Sequence, residues 1–561
     1  MSEARPWTKH YQPGVPAEIE MPTTSLVEMC EESVREAGDA VALEFFGRTT
    51  TYRQLGDQIA RAAEGLRRLG VQAGDRVGLI LPNCPQHVVA FYAVLRLGAI
   101  VVEHNPLYTV RELRHQFEDH RADVIIAWDA AVEKVADLPR DLGVRRIVAV
   151  NLLEEFPTVM RLALSLPVPK LRASRDALHK PAPGAMPWKE LVSAPAIAAD
   201  HPRPTVDDLA VIQYTSGTTG QAKGAKLTHR NLYANARQGE AWMHDAVKGK
   251  ETLYALLPMF HAFGMTLYLT FGILKQGRIV LFPKFDVDLV LKAWKKSPAT
   301  VYCAVPPIYQ KTAAVAKERG IDISSARFCI SGAMALTDDI VAQWEEVSGG
   351  LLVEGYGMTE SSPVALGNPF APTRRTGTIG IPFPSTDMKV IDPEDPDVEV
   401  ERGEEGELLI RGPQVFEGYW ENPEETARML LPGGWLRTGD VVVQDEDGFT
   451  TIVDRLKELI ITGGFNVSPS EVERVLRAHE AIADAAVIGR RNAGGGEDVV
   501  AVVTLEEGAA APSLDEVRAF CKQALASYKV PRELHVVDDL PRSMLGKVLR
   551  RQVREHVLTK G

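Results

Sequence analysis

The sequence contains few cysteines for its length and no closely spaced cysteine pair. Five cysteines are spread over 561 residues, and no Cys-x-x-Cys motif occurs among them. Because a disulfide framework or a structural zinc site needs paired or clustered cysteines, the pattern argues against both. It is typical of buried thiols in a reducing compartment. The five positions are Cys30, Cys84, Cys303, Cys329 and Cys521.

The sequence also lacks an excess of positive charge. It has 63 lysines and arginines against 75 aspartates and glutamates, a net charge of −12. The charge therefore argues against an overall affinity for nucleic acid. With 45% hydrophobic and 25% charged residues, the chain can bury a sizeable core. Its length predicts a large body of several subdomains and at least one smaller unit.

The N-terminal stretch lacks the apolar core of a signal peptide, which favours a cytoplasmic location. One long uncharged run, residues 252–274, has enough residues to cross a bilayer. Pro258, His261 and Gly264 interrupt this run near its middle. We therefore predict a buried strand, a loop and a buried helix there, with a membrane span as the alternative.

Short Val/Ile-rich runs alternate with amphipathic patterns between residues 76 and 150. This alternation predicts an α/β fold with parallel, doubly wound sheets in a large N-terminal domain. Ligands of such sheets bind beyond the carboxyl ends of the strands.

The pattern changes in the last third of the chain. Period-two alternation with Gly/Asp turns, from about residue 406, predicts a small antiparallel, β-barrel-like subdomain. A helical pattern then begins after Ser468 or Ser470, followed by further strands and helices, which predicts a small α+β C-terminal domain. We place the boundary at the segment DRLKE, giving domains 1–455 and 456–561.

Residues 156–184 are proline-punctuated, and we predict an irregular connection there. The segment carries five basic residues against one acidic residue, a local charge of +4 (five minus one). Two interpretations stay open: weak peripheral contact with an anionic membrane surface, or a solvated linker between subdomains. The charged residues are Arg161, Lys170, Arg172, Arg175 and Lys180, with Asp176 as the acid.

The segment YTSGTTGQAKGAKLTHRN, residues 214–231, follows the strand-like run LAVIQ. Its glycines let backbone amides approach an anion, and its hydroxyls and lysines add donors and positive charge, which is typical of a phosphate-binding loop. A Walker A loop requires G-x-x-x-x-G-K-[ST], but Ala222 stands five places after Gly217. The Walker interpretation therefore fails on spacing.

The loop instead resembles the phosphate loop of the adenylate-forming superfamily, which includes acyl-CoA synthetases, firefly luciferases and peptide-synthetase adenylation domains. Ala222 stands where that family commonly has proline. The resemblance runs from about residue 51 to 551 and is nearest to bacterial long-chain fatty acid CoA ligases. Further matching motifs follow in order: PMFHAFG (258–264), SGAMAL (331–336), EGYGMTESSP (354–363), GWLRTGD (434–440), DRLKELIITGGFN (454–466) and PRSMLGKVLRR (541–551).

The resemblance implies a nucleotide site. Asp440 is expected to accept both ribose hydroxyls, and Arg455 to lie near the ribose and phosphates. Glu360, beside Thr359, is expected to hold Mg²⁺ together with Thr215, since Mg²⁺ prefers oxygen ligands shared with phosphates. The phosphate-binding residues are expected to be Thr215, Ser216, Gly217, Thr218, Thr219, Gly220 and Lys223. The residues near the base and the substrate carboxylate are expected to be Gly332, Ala333, Glu354, Gly355 and Tyr356.

The resemblance also implies four roles outside the nucleotide site. His261 is expected to border the acyl pocket, and Lys547 to reach the oxygens of the carboxylate and α-phosphate where the bond forms. Lys457 matches the hinge about which a mobile C-terminal domain rotates. Gly464 is expected to face the pantetheine arm of coenzyme A after that rotation.

The implied reaction is ATP-dependent activation of a fatty acid to acyl-AMP, followed by transfer to coenzyme A. The uncharged side chains of Phe260, Phe263 and Met265 favour an apolar acid over an amino acid. A medium-chain or aryl acid CoA ligase, an acyl-AMP ligase serving a carrier protein, and a luciferase-like oxygenase remain alternatives. The expected partners are therefore the acid, ATP with Mg²⁺, and coenzyme A, with a homodimer and contact with the inner membrane face as further possibilities.

Overall fold

The computed structural model describes residues 5–215, 222–456, 458–462, 465–492, 497–525, 527–543 and 546–558. The strands are β1 (Val41–Phe45), β2 (Arg48–Thr51), β3 (Arg76–Ile80), β4 (Ile100–Glu103), β5 (Val124–Trp128), β6 (Arg146–Val150), β7 (Met186–Pro187), β8 (Leu209–Thr215), β9 (Lys223–Thr228), β10 (Thr252–Ala255), β11 (Arg278–Leu281), β12 (Val301–Ala304), β13 (Phe328–Ser331), β14 (Leu352–Gly357), β15 (Val364–Gly367), β16 (Ile381–Pro382), β17 (Asp387–Ile391), β18 (Glu405–Arg411), β19 (Leu430–Leu431), β20 (Trp435–Gln444), β21 (Thr450–Arg455), β22 (Ile460–Thr462), β23 (Phe465–Val467), β24 (Ile482–Arg491), β25 (Glu497–Leu505) and β26 (Glu533–Val536).

The α-helices alternate with these strands through most of the chain. They are α1 (Leu26–Ala37), α2 (Tyr52–Arg68), α3 (Pro85–Arg96), α4 (Val110–His120), α5 (Val132–Ala136), α6 (Thr158–Ser165), α7 (Pro169–Asp176), α8 (Trp188–Leu191), α9 (His229–Trp242), α10 (Ala262–Gly264), α11 (Gly272–Leu274), α12 (Val287–Trp294), α13 (Pro306–Glu318), α14 (Asp338–Ser348), α15 (Pro423–Met429), α16 (Pro469–Arg477), α17 (Leu514–Cys521) and α18 (Arg550–Leu558).

Two large sheets form the N-terminal body. The first has seven strands in the order β7-β6-β5-β3-β4-β8-β9, and its pairs are parallel except for the antiparallel pair β8–β9. Helix α3, which connects two of these parallel strands, is buried along its whole length, as a crossover helix inside an α/β body should be. The predicted alternation of strands and helices is confirmed.

The second sheet has nine strands in the order β16-β15-β14-β13-β12-β10-β11-β1-β2. Its central strands are parallel, while antiparallel pairs form at both edges. The motif SGAMAL starts at the last residue of the parallel strand β13, and EGYGMTESSP starts within β14 at Glu354, the last residue that pairs with β13. This is the edge of the sheet where ligand loops are expected.

The uncharged run 252–274 forms strand β10, a loop, and a helix from Ala262 to Leu274 whose central part is a π-helix. Gly264 allows the tight turn, because a Cβ atom there would lie 2.1 Å from the Pro258 carbonyl oxygen. The prediction of strand, loop and buried helix is confirmed. Within the described part of the chain, no helix has the length and apolar character needed to span a membrane.

The prediction of an irregular connection at 156–184 is wrong, because helices α6 and α7 form there. Each has eight residues, and the prolines lie outside or at the start of the helices: Pro157 is the N-cap of α6, and Pro169 occupies the first turn of α7. Proline is tolerated at these positions because the first N–H groups of a helix have no partner within it.

The period-two region forms a five-stranded antiparallel sheet of β17, β18, β19, β20 and β21, in the place of the expected β-barrel-like subdomain. After Arg455, a small α+β unit contains the hairpin β22–β23 and the sheet β24-β25-β26. The Ser468 hydroxyl caps α16 by accepting the Glu471 N–H at 3.2 Å, which selects between the two predicted caps. The boundary between 455 and 456 remains our proposal for the two domains.

Candidate active site

The strand pair β8–β9 supports the predicted phosphate loop. Thr215 at the end of β8 pairs with Lys223 at the start of β9, so these two residues bracket the loop at the carboxyl end of a sheet strand. Ser216, Gly217, Thr218, Thr219 and Gly220 lie outside the described residues. Both described ends of the loop are therefore in the position that a ligand-binding loop of this sheet requires.

Lys223 has an acidic and an aromatic neighbour. Its ammonium group forms an ion pair with Glu425, and both side chains are mostly buried. The same ammonium lies 5.6 Å from the centre of the Tyr419 ring. Arg428 also pairs with Glu425. The lysine beside the loop is thus held in a defined place by its neighbours.

Glu360 is buried, with 6% of its surface exposed. Burial raises the pKa of its carboxyl group, and the hydroxyl of Tyr419, which donates to Oε1 at 2.6 Å, opposes that rise. Tyr419 also bridges to Ala225 on β9, so it connects Glu360 with the strand that returns from the phosphate loop. Sequence analysis missed Tyr419, because nothing in the local sequence pairs two residues that lie 59 positions apart.

The donor set around Glu360 suits magnesium. A buried carboxylate and the nearby hydroxyl-bearing segment at Thr359 are oxygen groups, which Mg²⁺ prefers. Among the described residues, no group of three or more His, Cys, Asp or Glu side chains forms a metal cage. The arrangement therefore fits an ion that has one protein carboxylate as a ligand and phosphate oxygens as further ligands. It fits less well an ion that is held by protein ligands alone.

A second group of polar side chains is centred on the buried Asp440. The Tyr356 hydroxyl donates to its Oδ2 at 2.6 Å, and Arg455 Nε lies 3.0 Å from its Oδ1. Strand pairing explains the contact with the arginine, because Asp440 on β20 is directly opposite Arg455 on β21. A carboxylate has about four lone-pair positions, so these contacts leave capacity for ribose hydroxyls.

Lys547 of the C-terminal unit lies in the electrostatic field of this second group. Burial lowers the pKa of Lys547, and the Arg455 cation lowers it further, while the carboxylates of Glu458 and Asp440 oppose the change. Arg455 also opposes the raised pKa of the buried Glu360 carboxyl.

The loop that carries Lys547 is shaped by local hydrogen bonds. The Ser543 N–H donates to the Lys547 carbonyl at 2.7 Å, and the Lys547 N–H donates to the Ser543 hydroxyl at 3.2 Å. Gly546 adopts a left-handed φ of 83°, and a Cβ atom there would lie 3.4 Å from the sulfur of Met334. Gly546 thus packs against Met334 of the SGAMAL segment.

The SGAMAL and HAFG segments meet beside this group. A Cβ atom at Gly332 would lie 2.9 Å from the Phe263 ring and 3.3 Å from the Gly355 carbonyl oxygen, so only glycine fits. Ala333 adopts a left-handed φ of 68°, a strained conformation for a residue with a side chain. Strain of this kind is often retained where a backbone has to present groups to a ligand.

Glu354 is partly buried in β14, where it pairs with Ser331 at the end of β13. Desolvation raises the pKa of its carboxyl group to about 7, although its Oε2 accepts the Gly377 N–H at 3.0 Å. The raised pKa means that the folded protein binds this proton more tightly than the unfolded chain does. The protonated Glu354 carboxyl group therefore contributes its full stabilisation below pH 4.5, and this stabilisation is lost as the pH rises towards 7.

Replacing Glu354 with Gln should weaken the pH dependence of stability. The amide keeps an oxygen for the Gly377 N–H but does not ionise, so the loss of stability between pH 5 and pH 8 should shrink by up to about 3 kcal/mol. Thermal unfolding at the two pH values measures the change. The matched control is Glu346→Gln on the exposed face of α14, which should leave the difference unchanged. Equal behaviour of the two variants would contradict the prediction.

His261 caps the short helix α10, and its Nδ1 accepts the Phe263 N–H at 3.4 Å. Part of the residue is exposed to solvent. Protein atoms nevertheless surround the ring, and the resulting desolvation lowers the pKa of His261 to about 4. The ring is therefore neutral at pH 7. Gln213 fastens the same segment to β8 by donating to the Phe260 carbonyl at 2.9 Å, and its buried Oε1 has no partner among the described residues.

The predicted site residues thus fall into three sets. Tyr356, Asp440 and Arg455 form one group, and the charges of Asp440 and Arg455 affect the pKa of Lys547. Lys223 and Glu360 form a neighbouring group through Tyr419, with Thr215 at the adjacent end of β8 and Thr359 next to Glu360. Gly332, Ala333, Glu354, Gly355 and His261 lie on the segments beside them. Lys457 and Gly464 lie outside the described residues.

The chain belongs to the AMP-binding enzyme family. The model of the AMP-binding enzyme domain matches residues 30–420, and that of the AMP-binding enzyme C-terminal domain matches residues 471–547. The chain is 38% identical to a long-chain-fatty-acid–CoA ligase of Bacillus subtilis, covering 99% of this chain and 98% of the relative. It is 36% identical to the long-chain-fatty-acid–CoA ligase of Escherichia coli O157:H7, with the same coverage of 99% and 98%.

The fold is similar to that of MatB from Rhodopseudomonas palustris. The ATP-bound crystal structure of that protein matches with a TM-score of 0.81 at 29% identity, covering 94% of this chain and 98% of that chain. Its apo crystal structure matches with a TM-score of 0.70 at 28% identity, covering 96% and 100%. The α/β architecture predicted from the sequence is therefore confirmed.

Proposed function

We propose that the protein activates a long-chain fatty acid with ATP and transfers the acyl group to coenzyme A. The carboxylate would attack the α-phosphorus, forming acyl-AMP and releasing pyrophosphate, and the thiol of coenzyme A would then displace AMP. The observation that carries the proposal is the contact of the Lys547 loop with the large domain, where a Cβ atom at Gly546 would lie 3.4 Å from the Met334 sulfur. The charges of Asp440 and Arg455 also affect the pKa of Lys547. Relatives named as ligases of this type, similar over almost the entire chain, support it.

In this proposal the Asp440 group binds the ribose and the loop between Thr215 and Lys223 binds the phosphates. The hydroxyls and amides of Ser216, Gly217, Thr218, Thr219 and Gly220 would donate to phosphate oxygens. Gly332, Ala333, Glu354, Gly355 and Tyr356 would line the space for the base and the reacting carboxylate. The tight contact of Phe263 with Gly332 supports this assignment, because it joins the acyl segment to the nucleotide segment.

The chemical step brings two anions together, so its main requirement is charge neutralisation. Lys547 would donate to the carboxylate and α-phosphate oxygens, and Lys223 would contact the outer phosphates. Magnesium, held by Glu360 and Thr215, would supply additional positive charge to the phosphates. No protein nucleophile is needed. The five cysteines are buried and free, and burial raises the pKa of each thiol, which fits this mechanism.

The arrangement of the two domains supports adenylate formation as the state seen here. The fold matches the ATP-bound structure of MatB better than the apo structure of the same protein. In this proposal Lys547 occupies the site during adenylate formation and leaves it before thioester formation. We propose that the C-terminal domain rotates about Lys457 and brings Gly464 to the site, where glycine leaves room for pantetheine.

The acyl site is proposed to be apolar. Met265 is fully buried in the π-helical part of the 252–274 segment, and the partly buried Phe263 packs against the same core. His261 would border this site as a neutral ring, which suits an aliphatic chain.

We also propose a cytoplasmic location with peripheral contact at the inner membrane face, and a homodimer as the assembly.

A pyrophosphate-release assay tests the proposed function. Purified protein is given ATP and Mg²⁺ with fatty acids of graded length or with aromatic acids, each with and without coenzyme A. We expect the highest turnover with long-chain acids and a thioester product only when coenzyme A is present. No release with any acid would refute the enzyme assignment, and release without thioester formation would identify a carrier-protein ligase.

A further inference from the structure

The hairpin of α6 and α7 exposes an unusual number of large apolar side chains. The exposed fractions are 80% for Val159, 64% for Leu162, 52% for Leu166 and 44% for Val168. Val159, Leu162 and Leu166 are spaced i, i+3 and i+7, so they lie on one side of α6 and its C-terminal end. We call these four side chains the apolar ridge.

The opposite side of α6 is also apolar. Leu164 is buried, and Met160 packs against the main hydrophobic core. A surface helix normally turns a polar face to water, and contiguous exposed apolar side chains mark an interaction surface. Because the buried side of α6 already anchors the helix to the core, folding does not explain the ridge.

Basic side chains surround the ridge. Arg161, Lys170, Arg172 and Lys180 are exposed, and none forms an ion pair with another residue in the described ranges. The acid of the segment, Asp176, is paired with Arg175. This positive surface belongs to a chain with a net charge of −12, so its charge is local. A fitting partner is anionic at its surface and apolar just beneath.

We propose that the α6–α7 hairpin is a docking surface for an anionic lipid bilayer. The apolar ridge would enter the headgroup region, and the surrounding lysines and arginines would contact lipid phosphates. Helix α7 has no buried residue, so its basic side chains are free to reach a flat surface. The biological reason rests on the proposed function, since long-chain fatty acids partition into bilayers, but the binding itself does not depend on it.

The hairpin is fixed at both ends, so docking needs no folding step. At its start, the buried Phe156 packs against Phe46, with ring centres 4.3 Å apart and ring planes tilted by 30°. At its end, the indole N–H of Trp128 donates to the Leu178 carbonyl at 2.9 Å. The ridge therefore projects from the edge of the seven-stranded sheet in a defined orientation.

Vesicle sedimentation with the full chain tests the proposal, without ATP or fatty acid. One set of vesicles is phosphatidylcholine alone, and the other contains phosphatidylcholine with phosphatidylglycerol. We expect binding to the anionic set only, and weaker binding as salt increases. Equal binding to both sets, or no binding to either, would overturn the proposal.

Two variants separate the apolar and the electrostatic contributions. The triple change Val159→Ser, Leu162→Ser and Leu166→Ser should weaken binding at least about tenfold. The triple change Lys170→Gln, Arg172→Gln and Lys180→Gln should weaken it on the order of a hundredfold, about fivefold for each charge. The control is Leu107→Ser, which removes a leucine that is 60% exposed outside the hairpin and should leave binding unchanged.

Sedimentation velocity and pyrophosphate release distinguish lipid docking from dimer formation and from damage to the proposed site. In the absence of lipid, the serine variant should have the same sedimentation coefficient as the wild type. If the wild type were a dimer and the serine variant a monomer, the ridge would join two copies of the chain, and the proposal would be overturned. Pyrophosphate release in the absence of vesicles should also be unchanged, because no changed residue lies in the proposed site. If wild-type protein bound anionic vesicles but released no pyrophosphate with any acid, the docking surface would stand and the proposed function would fail.

Discussion

Lys547→Ala is expected to abolish acyl-adenylate formation while leaving thioester formation from supplied acyl adenylate largely intact. We propose that the C-terminal unit brings this cation to the reacting oxygens, and the charges of Asp440 and Arg455 affect its pKa. Removal of one well-placed charged donor from a transition state costs about 10²–10³-fold in rate. We propose that the second half-reaction uses another domain orientation, in which this side chain has left the site.

The two half-reactions are measured separately. Pyrophosphate release reports the first, and conversion of synthetic acyl-AMP with coenzyme A to the thioester reports the second. Lys522→Ala is the matched control, because it removes an exposed lysine of the same C-terminal unit that has no role in the site. Equal loss of both half-reactions in the Lys547 variant would contradict the proposed division of labour.

Asp440→Asn is expected to weaken ATP binding on the order of a hundredfold. The buried carboxylate accepts the Tyr356 hydroxyl and pairs with Arg455, and we propose that it also accepts two ribose hydroxyls. Hydrogen bonds to a charged group contribute about 1.5–3 kcal/mol each, and the amide of asparagine loses that advantage. The substitution also leaves Arg455 without its carboxylate partner.

Nucleotides that lack one ribose hydroxyl make this prediction specific. The wild-type protein should bind ATP more tightly than 2′-deoxy-ATP or 3′-deoxy-ATP, and Asp440→Asn should largely remove the difference. Tyr356→Phe is the control, because it deletes one hydrogen bond to the carboxylate but keeps the carboxylate, so discrimination should persist. If the asparagine variant still discriminated against the deoxynucleotides as the wild type does, the ribose assignment would be wrong.

Much of the fold follows from local sequence patterns. The alternation of Val/Ile runs with amphipathic segments predicts the strands and helices between β3 and β6, because backbone periodicity decides which side chains share a face. The wrong prediction of an irregular connection at 156–184 has an equally local cause. Prolines usually interrupt helices, but Pro157 and Pro169 lie where a helix begins, and the sequence pattern alone does not distinguish these cases.

The candidate site shows a similar division. The motifs place Glu360, Asp440, Arg455 and Lys547 in the sequence, but not their neighbours in space. Asp440 meets Arg455 because strands β20 and β21 pair in one register, which a sequence without turn and packing information does not specify. Tyr419 reaches Glu360 through a bridge to β9, and no nearby residue signals that contact.

The sequence by itself determined the alternation of elements, the order of the motifs and hence the family, because these depend on residue types and their spacing along the chain. Only the tertiary structure decided which distant side chains come together at the buried Asp440, and which apolar residues of α6 remain in water. Burial and electrostatic energy depend on distances through space, and those distances exist only after the sheets and the C-terminal unit have packed together.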